Sequence, residues 1–572
     1  VSLRSHRLTK FEARKFFSFL FNIQPESDMW PVTFLFIFLC VLQYGASKSI
    51  QYAYKDVETN EGVVRGYLNE TGNYYAFIGV PYAAPPVGKA RFKAPTPPSP
   101  RDYVYEANQT VVCPRNGIGD EDCLFVNIFT PTIIEKHIPV LVYIHGGSFF
   151  IGTGLTSGFG ELIEEDIIVV TINYRLGALG FLCLGIEEAP GNAGLKDQVA
   201  ALRWLQSNVA NFGGDAKQVT IYGMSAGGVS VEYQVLSKMG KGLFHRAIIE
   251  SGSVTSVWAT DANPIATAIN VAEILGLPKT SQLNELVEFY QEIPADILTQ
   301  ANTEYYTNLI DGTFGFVPCV EKELENIESF ITESPHDILN NNKYETVPIM
   351  AMYATLEGLF LRSAELYEQN YAQRMQANFI DFVPRDLVID DPMTKSVIAD
   401  QIKEFYFGNN SIGDNVIDYL NYFGDNLILH GLLNSVEIHA MNKNLVYLME
   451  FEYRGKMGSF ANMYDNITVA GHGDLMKHAI LPRKIENDDD RLTVNRIVKL
   501  ITNFMKHDNP TPTPSELLPV TWPAVKHGVI DYLHLNKDFE VLTNPYTERK
   551  QFWDQLYAKF RGTIKPVGDY VH

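Results

Sequence analysis

Short, nearly uninterrupted apolar runs alternate along this chain with stretches in which apolar residues recur at helical spacing. Residues 139–145 (PVLVYIH), 167–173 (IIVVTIN), 219–223 (VTIYG) and 246–250 (RAIIE) are the clearest runs, and 347–353 (VPIMAMY) and 445–453 (LVYLMEFEY) are similar. Such strings predict strands, and their continuity predicts that helices cover both faces of the sheet they build. Between them, Val199, Leu202, Leu205 and Val209 keep the period of a helix over 197–212, which stops at the turn Gly213-Gly214-Asp215. No linker rich in Pro, Ser or charge divides the chain after residue 48. The pattern predicts an α/β fold, a large and mostly parallel central sheet with helices on both faces, in one large domain over 48–572.

Composition adds limits. A chain of 572 residues with 46% hydrophobic content has far more core than a disulfide-stapled module needs. The net charge of −21 makes nucleic acid an unsuitable partner, because phosphate binding needs a concentrated basic surface. The first methionine is Met29, which opens MWPVTFLFIFLCVLQYGASKS. Residues 1–28 are read as a non-native extension and 29–47 as a signal peptide, since the apolar core 32–42 has leader length and small residues follow it. The end, KPVGDYVH, offers no hydrophobic tail, so no stable membrane anchor is expected. Export would suit the four glycosylation sequons at Asn69, Asn108, Asn409 and Asn466. Cys113 and Cys123 are near enough in sequence to close a small surface loop. Cys183 and Cys319 lie in apolar strings and read as buried free thiols, with a mutual pairing left open.

Candidate chemistry sits at the ends of the predicted strands. Gly223-Met224-Ser225-Ala226-Gly227 fits G-x-S-x-G directly after the run 219–223, and a predicted helix, AGGVSVEYQVL, follows. A tight strand-to-helix turn of this kind lifts a serine hydroxyl into reach of a substrate, and small neighbours let the backbone make it. A serine is a poor nucleophile at neutral pH, so it requires a base, an orienting acid and donors for the oxyanion. His145-Gly146-Gly147-Ser148-Phe149 follows the run 139–145. The amides of Gly146 and Gly147, with that of Ala226, are the expected oxyanion donors.

With the segments 121–130 (EDCLFVNIFT), 173–177 (NYRLG), 191–215 and Glu250-Ser251-Gly252-Ser253, these motifs resemble the type-B carboxylesterases. That family includes insect esterases, juvenile hormone esterases and cholinesterases, and the likeness runs from about residue 48 to about 560. The resemblance implies an α/β-hydrolase fold, no metal or organic cofactor, and a triad in the order Ser, Glu or Asp, His. Carried over, the acid is Glu357 in MYATLEGLF and the base is His472 in VAGHGDL, with His478 the competing histidine six residues on.

Three departures from the family pattern matter, the first two for the substrate and the third for the register of the histidine loop. Met224 stands where the family usually has an acid and where juvenile hormone esterases typically have Gln. The 113–123 loop has no tryptophan for a choline headgroup, and HGDL is one acidic residue shorter than the usual histidine loop. The expected activity is therefore hydrolysis of a neutral, largely apolar small-molecule ester through an acyl-enzyme, in a secreted protein. The alternatives are sequestration of xenobiotic esters by slow deacylation and a non-catalytic adhesion module.

Overall fold

The apolar runs form the middle of one large sheet. The computed structural model describes residues 53–568 apart from 70–72, 132–136, 157, 281, 309–313, 362–369, 459–466 and 481–484. The extension at 1–28, the leader at 29–47 and Asn466 lie outside the described residues. In chain order the strands are β1 (Tyr54–Thr59), β2 (Gly62–Leu68), β3 (Tyr74–Pro81), β4 (Tyr105–Glu106), β5 (Phe125–Pro131), β6 (Ile138–Ile144) and β7 (Ile168–Ile172). They continue with β8 (Gly214–Met224), β9 (Arg246–Glu250), β10 (Ile349–Ala354), β11 (Val446–Phe451), β12 (Asp531–Leu535) and β13 (Phe539–Thr543).

Across the sheet the order is β1-β2-β3-β5-β7-β6-β8-β9-β10-β11-β12-β13, with β4 paired on β2. Every neighbouring pair from β7 to β12 is parallel. Antiparallel strands form both flanks.

Why the central strands read as continuous apolar strings is visible in their packing. Successive side chains of a strand point to opposite faces. Val140, Val142 and Ile144 of β6 enter one buried cluster, and Leu141 and Tyr143 enter another. The helix Ala226–Leu236 supplies Val229, Val231 and Val235 to the first, and the helix Asp488–His507 supplies Val494, Ile497, Ile501 and Phe504 to the second. Both faces are therefore dry, and β7, β10 and β11 are buried at every position. The outermost β13 is exposed at four of its five residues, so it shows no comparable run. Among the described residues no helix is long and apolar enough to cross a membrane.

The predicted helix at 197–212 starts earlier, at Ala193, and runs to Asn208 before tightening into a 3-10 turn at Val209–Phe212. The free-thiol reading of Cys183 and Cys319 is corrected: they form a disulfide across 136 residues, as Cys113 and Cys123 do across 10. Both sulfurs sit in a small buried cluster with Val567. An apolar neighbourhood looks the same in sequence whether a buried cysteine is free or bridged. Only the fold brings the two together.

Candidate active site

Parallel strands deliver their carboxyl ends to one edge of the sheet, where α/β sheets place their sites. Ser225 follows β8 with φ 59° and ψ −125°, and the helix Ala226–Leu236 begins at the next residue. This sharp turn exists because two glycines permit it. A β-carbon on Gly223 would lie 2.1 Å from the carbonyl oxygen of Gly227, and one on Gly227 would lie 2.1 Å from that of Ile144. Strand, turn and helix could not close with larger residues at either position. The amide of Ser225 donates to the carbonyl of Glu250 at 2.8 Å, which fixes the turn to the end of β9.

The chain leaving β6 forms the facing wall. A β-carbon on Gly146 would meet the Met224 carbonyl at 2.3 Å and the Ser225 β-carbon at 3.0 Å, so the Gly146 backbone presses directly on the serine turn. Gly147, Ser148 and Phe149 all have positive φ (111°, 52° and 63°), a contorted turn closed by the Phe150 and Ile151 amides on the Gly147 carbonyl. Among the described residues, the amides of Gly146, Gly147 and Ala226 donate to no protein acceptor. Beneath them His145 stacks on Tyr174 at 4.4 Å, and the Tyr174 hydroxyl donates to the His145 carbonyl at 2.8 Å. Burial pulls His145 down to about 4, so this imidazole is uncharged at neutral pH and serves as a rigid support.

Glu357 lies in the turn after β10. Its Oε1 accepts from the Ala354 amide at 2.7 Å and the Ser251 hydroxyl at 2.6 Å. Its Oε2 lies 2.6 Å from Nδ1 of His472, so the carboxylate is fully bonded and holds the imidazole in one orientation. The histidine loop is tied to the acid loop by a bridge between Leu356 and Gly471, and the Asp474 carboxylate accepts the Gly471 amide at 2.9 Å. A β-carbon on Gly473 would lie 2.7 Å from the terminal methyl of Met224, so the turn carrying His472 and the turn carrying Ser225 meet through the Met224 side chain. His478 lies elsewhere: its Nδ1 bonds the Asp474 carbonyl within the helix Asp474–Ala479, and its ring packs on Phe451 and Tyr453.

An aromatic cluster, mostly buried, continues from the Gly146–Phe149 turn. Phe149 packs against Phe181 and Trp258, Trp258 packs against Phe314, and Phe150 and Phe314 both touch Tyr306. The 113–123 loop leans on the same wall, where Arg115 donates to the Gly152 carbonyl and the Gly117 amide to Thr299.

The sequence profile of the carboxylesterase family matches residues 53–553 of this chain. The chain belongs to the carboxylesterase family. Among its relatives, the esterase FE4 of Myzus persicae is 34% identical over 521 residues, covering 85% of this chain and 90% of that one. A juvenile hormone esterase of Tribolium castaneum is 31% identical over 467 residues, covering 78% and 81%. The crystal structure of juvenile hormone esterase from Manduca sexta, with OTFP covalently attached, superimposes with a TM-score of 0.80 at 27% identity. That superposition covers 88% of this chain and all of the other, and the fold is the α/β-hydrolase fold.

In this carboxylesterase two residues at the site had no role in the sequence reading. Ser251 donates to Glu357, and Glu250 binds the Ser225 amide through its carbonyl. Their signal was the polar pair closing the run 246–250 inside the segment Glu250-Ser251-Gly252-Ser253, at the same strand end as the other candidates.

Proposed function

We propose that this carboxylesterase hydrolyses neutral, largely apolar carboxylic esters through an acyl-enzyme on Ser225, with His472 as base and Glu357 as its orienting acid. The observation that carries the proposal is the 2.6 Å contact between His472 Nδ1 and Glu357, on a turn that meets the Ser225 turn through Met224. In the first step the Ser225 oxygen bonds to the ester carbonyl carbon while His472 Nε2 takes the serine proton. The carbonyl oxygen becomes an oxyanion facing the free amides of Gly146, Gly147 and Ala226. The C–O bond to the alcohol breaks and the imidazolium returns the proton to that oxygen. Water then attacks the acyl-serine with the same histidine as base, releasing the acid and restoring Ser225.

The proposed preference for uncharged substrates rests on the apolar Met224 beside the nucleophile, and on the aromatic cluster of Phe149, Phe150, Trp258, Tyr306 and Phe314 that continues from the Gly146–Phe149 turn. A quaternary ammonium group entering there would lose hydration without gaining a carboxylate. The Arg115 guanidinium adds a positive charge at the oxyanion turn. Export is part of the proposal. Two disulfides suit an oxidising compartment, and Asn108 and Asn409 are exposed as glycan acceptors must be.

The test is a pair of measurements on purified protein. Ser225→Ala should remain folded and lose at least about 10³-fold in naphthyl acetate hydrolysis. The unaltered enzyme should show a higher kcat/KM for naphthyl acetate than for acetylcholine at matched ionic strength. Turnover by the alanine variant at the original rate would end the mechanism, and parity with acetylcholine would end the substrate assignment.

A further inference from the structure

Glu250 is completely buried at the end of β9, one residue before Ser251. Its backbone carbonyl holds the Ser225 amide at 2.8 Å. Its carboxyl reaches in two other directions. Oε1 accepts the amide of Met476 at 3.0 Å, in the helix that follows His472, and Oε2 is bonded to the Tyr222 hydroxyl of β8. The Met476 sulfur in turn accepts from the Tyr143 hydroxyl of β6 at 2.7 Å. With Ser251 bonded to Glu357, the two consecutive residues 250 and 251 touch the turn of the nucleophile, the carboxylate of the acid and the helix that anchors the base.

We propose that Glu250 is a positioning residue of the catalytic centre. Its fully buried carboxyl couples the nucleophile strand to the helix after His472, and turnover depends on that coupling. This rests on the triad assignment made above.

The groups facing Glu250 are Tyr222 on β8, Tyr143 on β6, Glu357 in the turn after β10 and Asp474 in the histidine helix. Burial first, then the nearby Glu357 and Asp474 charges, push the carboxyl up to about 8, against the bonds from Tyr222 and Met476. Glu250 is therefore protonated at neutral pH and ionises as the medium becomes alkaline. The new negative charge would lie beside Glu357. It would stabilise the imidazolium of His472, making it a weaker acid toward the leaving alcohol, and would oppose the oxyanion.

The experiment is the pH profile of kcat and KM on naphthyl acetate, which carries no titrating group, for the enzyme and for Glu250→Gln and Glu250→Ala. Glu250→Ala should lower kcat by about 10- to 100-fold with KM unchanged, as expected when geometry is loosened in the transition state. Glu250→Gln keeps a neutral carbonyl and a donor at the same place. It should recover most of that loss and show no fall above about pH 8, where the unaltered enzyme declines. A glutamine variant with the original alkaline limb, or an alanine variant with the original kcat, would overturn the assignment. Either result would leave the Ser225 mechanism standing, because that reading fails only if Ser225→Ala still turns over.

Discussion

Glu357 and Glu232 are held by the same set of donors, yet we assign the regions they sit in opposite tasks. Glu357 accepts from the Ala354 amide, the Ser251 hydroxyl and Nδ1 of His472. Glu232, on the helix that begins after Ser225, accepts from the Val254 amide, the Ser435 hydroxyl and Nε2 of His439. Both glutamates are buried, and each orients an imidazole. The difference lies at the second ring nitrogen. His472 keeps 12% of its side chain exposed on a turn beside the serine. The other nitrogen of His439 is taken by the Tyr344 hydroxyl at 2.7 Å, and its ring is 1% exposed. A carboxylate and a histidine in contact do not make a catalytic pair. What the remaining nitrogen faces decides whether the pair can move a proton to a substrate or serves only to join the helix Ala226–Leu236 to the helix His430–Met441.

The sharpest way to break the comparison is to neutralise each acid. Glu357→Gln should lower kcat by about 10⁴-fold, since the wrong tautomer of His472 would then be favoured. Glu232→Gln should leave kcat and KM for the same ester unchanged when assayed well below its melting temperature. A comparable kinetic loss in the two variants would show that the second cluster belongs to the chemistry.

Stability should respond the other way. Glutamine at 232 puts an N–H where a carboxylate oxygen accepted, so one of the buried Val254, Ser435 and His439 donors loses its acceptor, and chemical denaturation should show a loss of about 1–3 kcal/mol. Acid separates the two variants further. Burial alone would raise the Glu232 carboxyl, but the bond and charge of His439, then Ser435 and the Val254 amide, hold it below the ordinary carboxylate range. A carboxyl lowered in the folded state contributes stability above its unfolded pKa of about 4.3, and that contribution disappears as the pH falls through the folded value. The denaturation midpoints of the unaltered protein and Glu232→Gln should therefore converge below about pH 4.

The smallest expected effect concerns the closing contact itself. Tyr344→Phe removes the hydroxyl from His439 and should cost about 1 kcal/mol of stability while leaving ester turnover unchanged. A change in kcat would mean that the buried cluster reaches the active site.

How much of this was legible in the sequence follows from the same contrast. The central strands were readable because both of their faces are dry, and the glycine-flanked Ser225 and the His145-Gly146-Gly147 turn stood at their ends. Glu357 and His472 needed the family resemblance, since each is a single polar residue in a loop whose partner is 115 positions away. Glu232 was not legible at all. It interrupts the apolar string AGGVSVEYQVL and looks like a half-exposed helical position until Ser435, 203 residues later, and His439, 207 later, close over it. The antiparallel flank was faint for another reason: strands such as β1, YKDVET, bury only alternate residues, so their apolar signal is broken by charges.

The bridge between Cys183 and Cys319 has a consequence for a nicked chain. Lys279 is exposed in the connection between the helices Pro264–Ile274 and Leu283–Glu292, a natural place for a trypsin-like protease to cut. Ser225 would then belong to one polypeptide, and Glu357 and His472 to another. Because the cut falls between the two bridged cysteines, the fragments would remain a single covalent molecule and would separate only when a reductant is added.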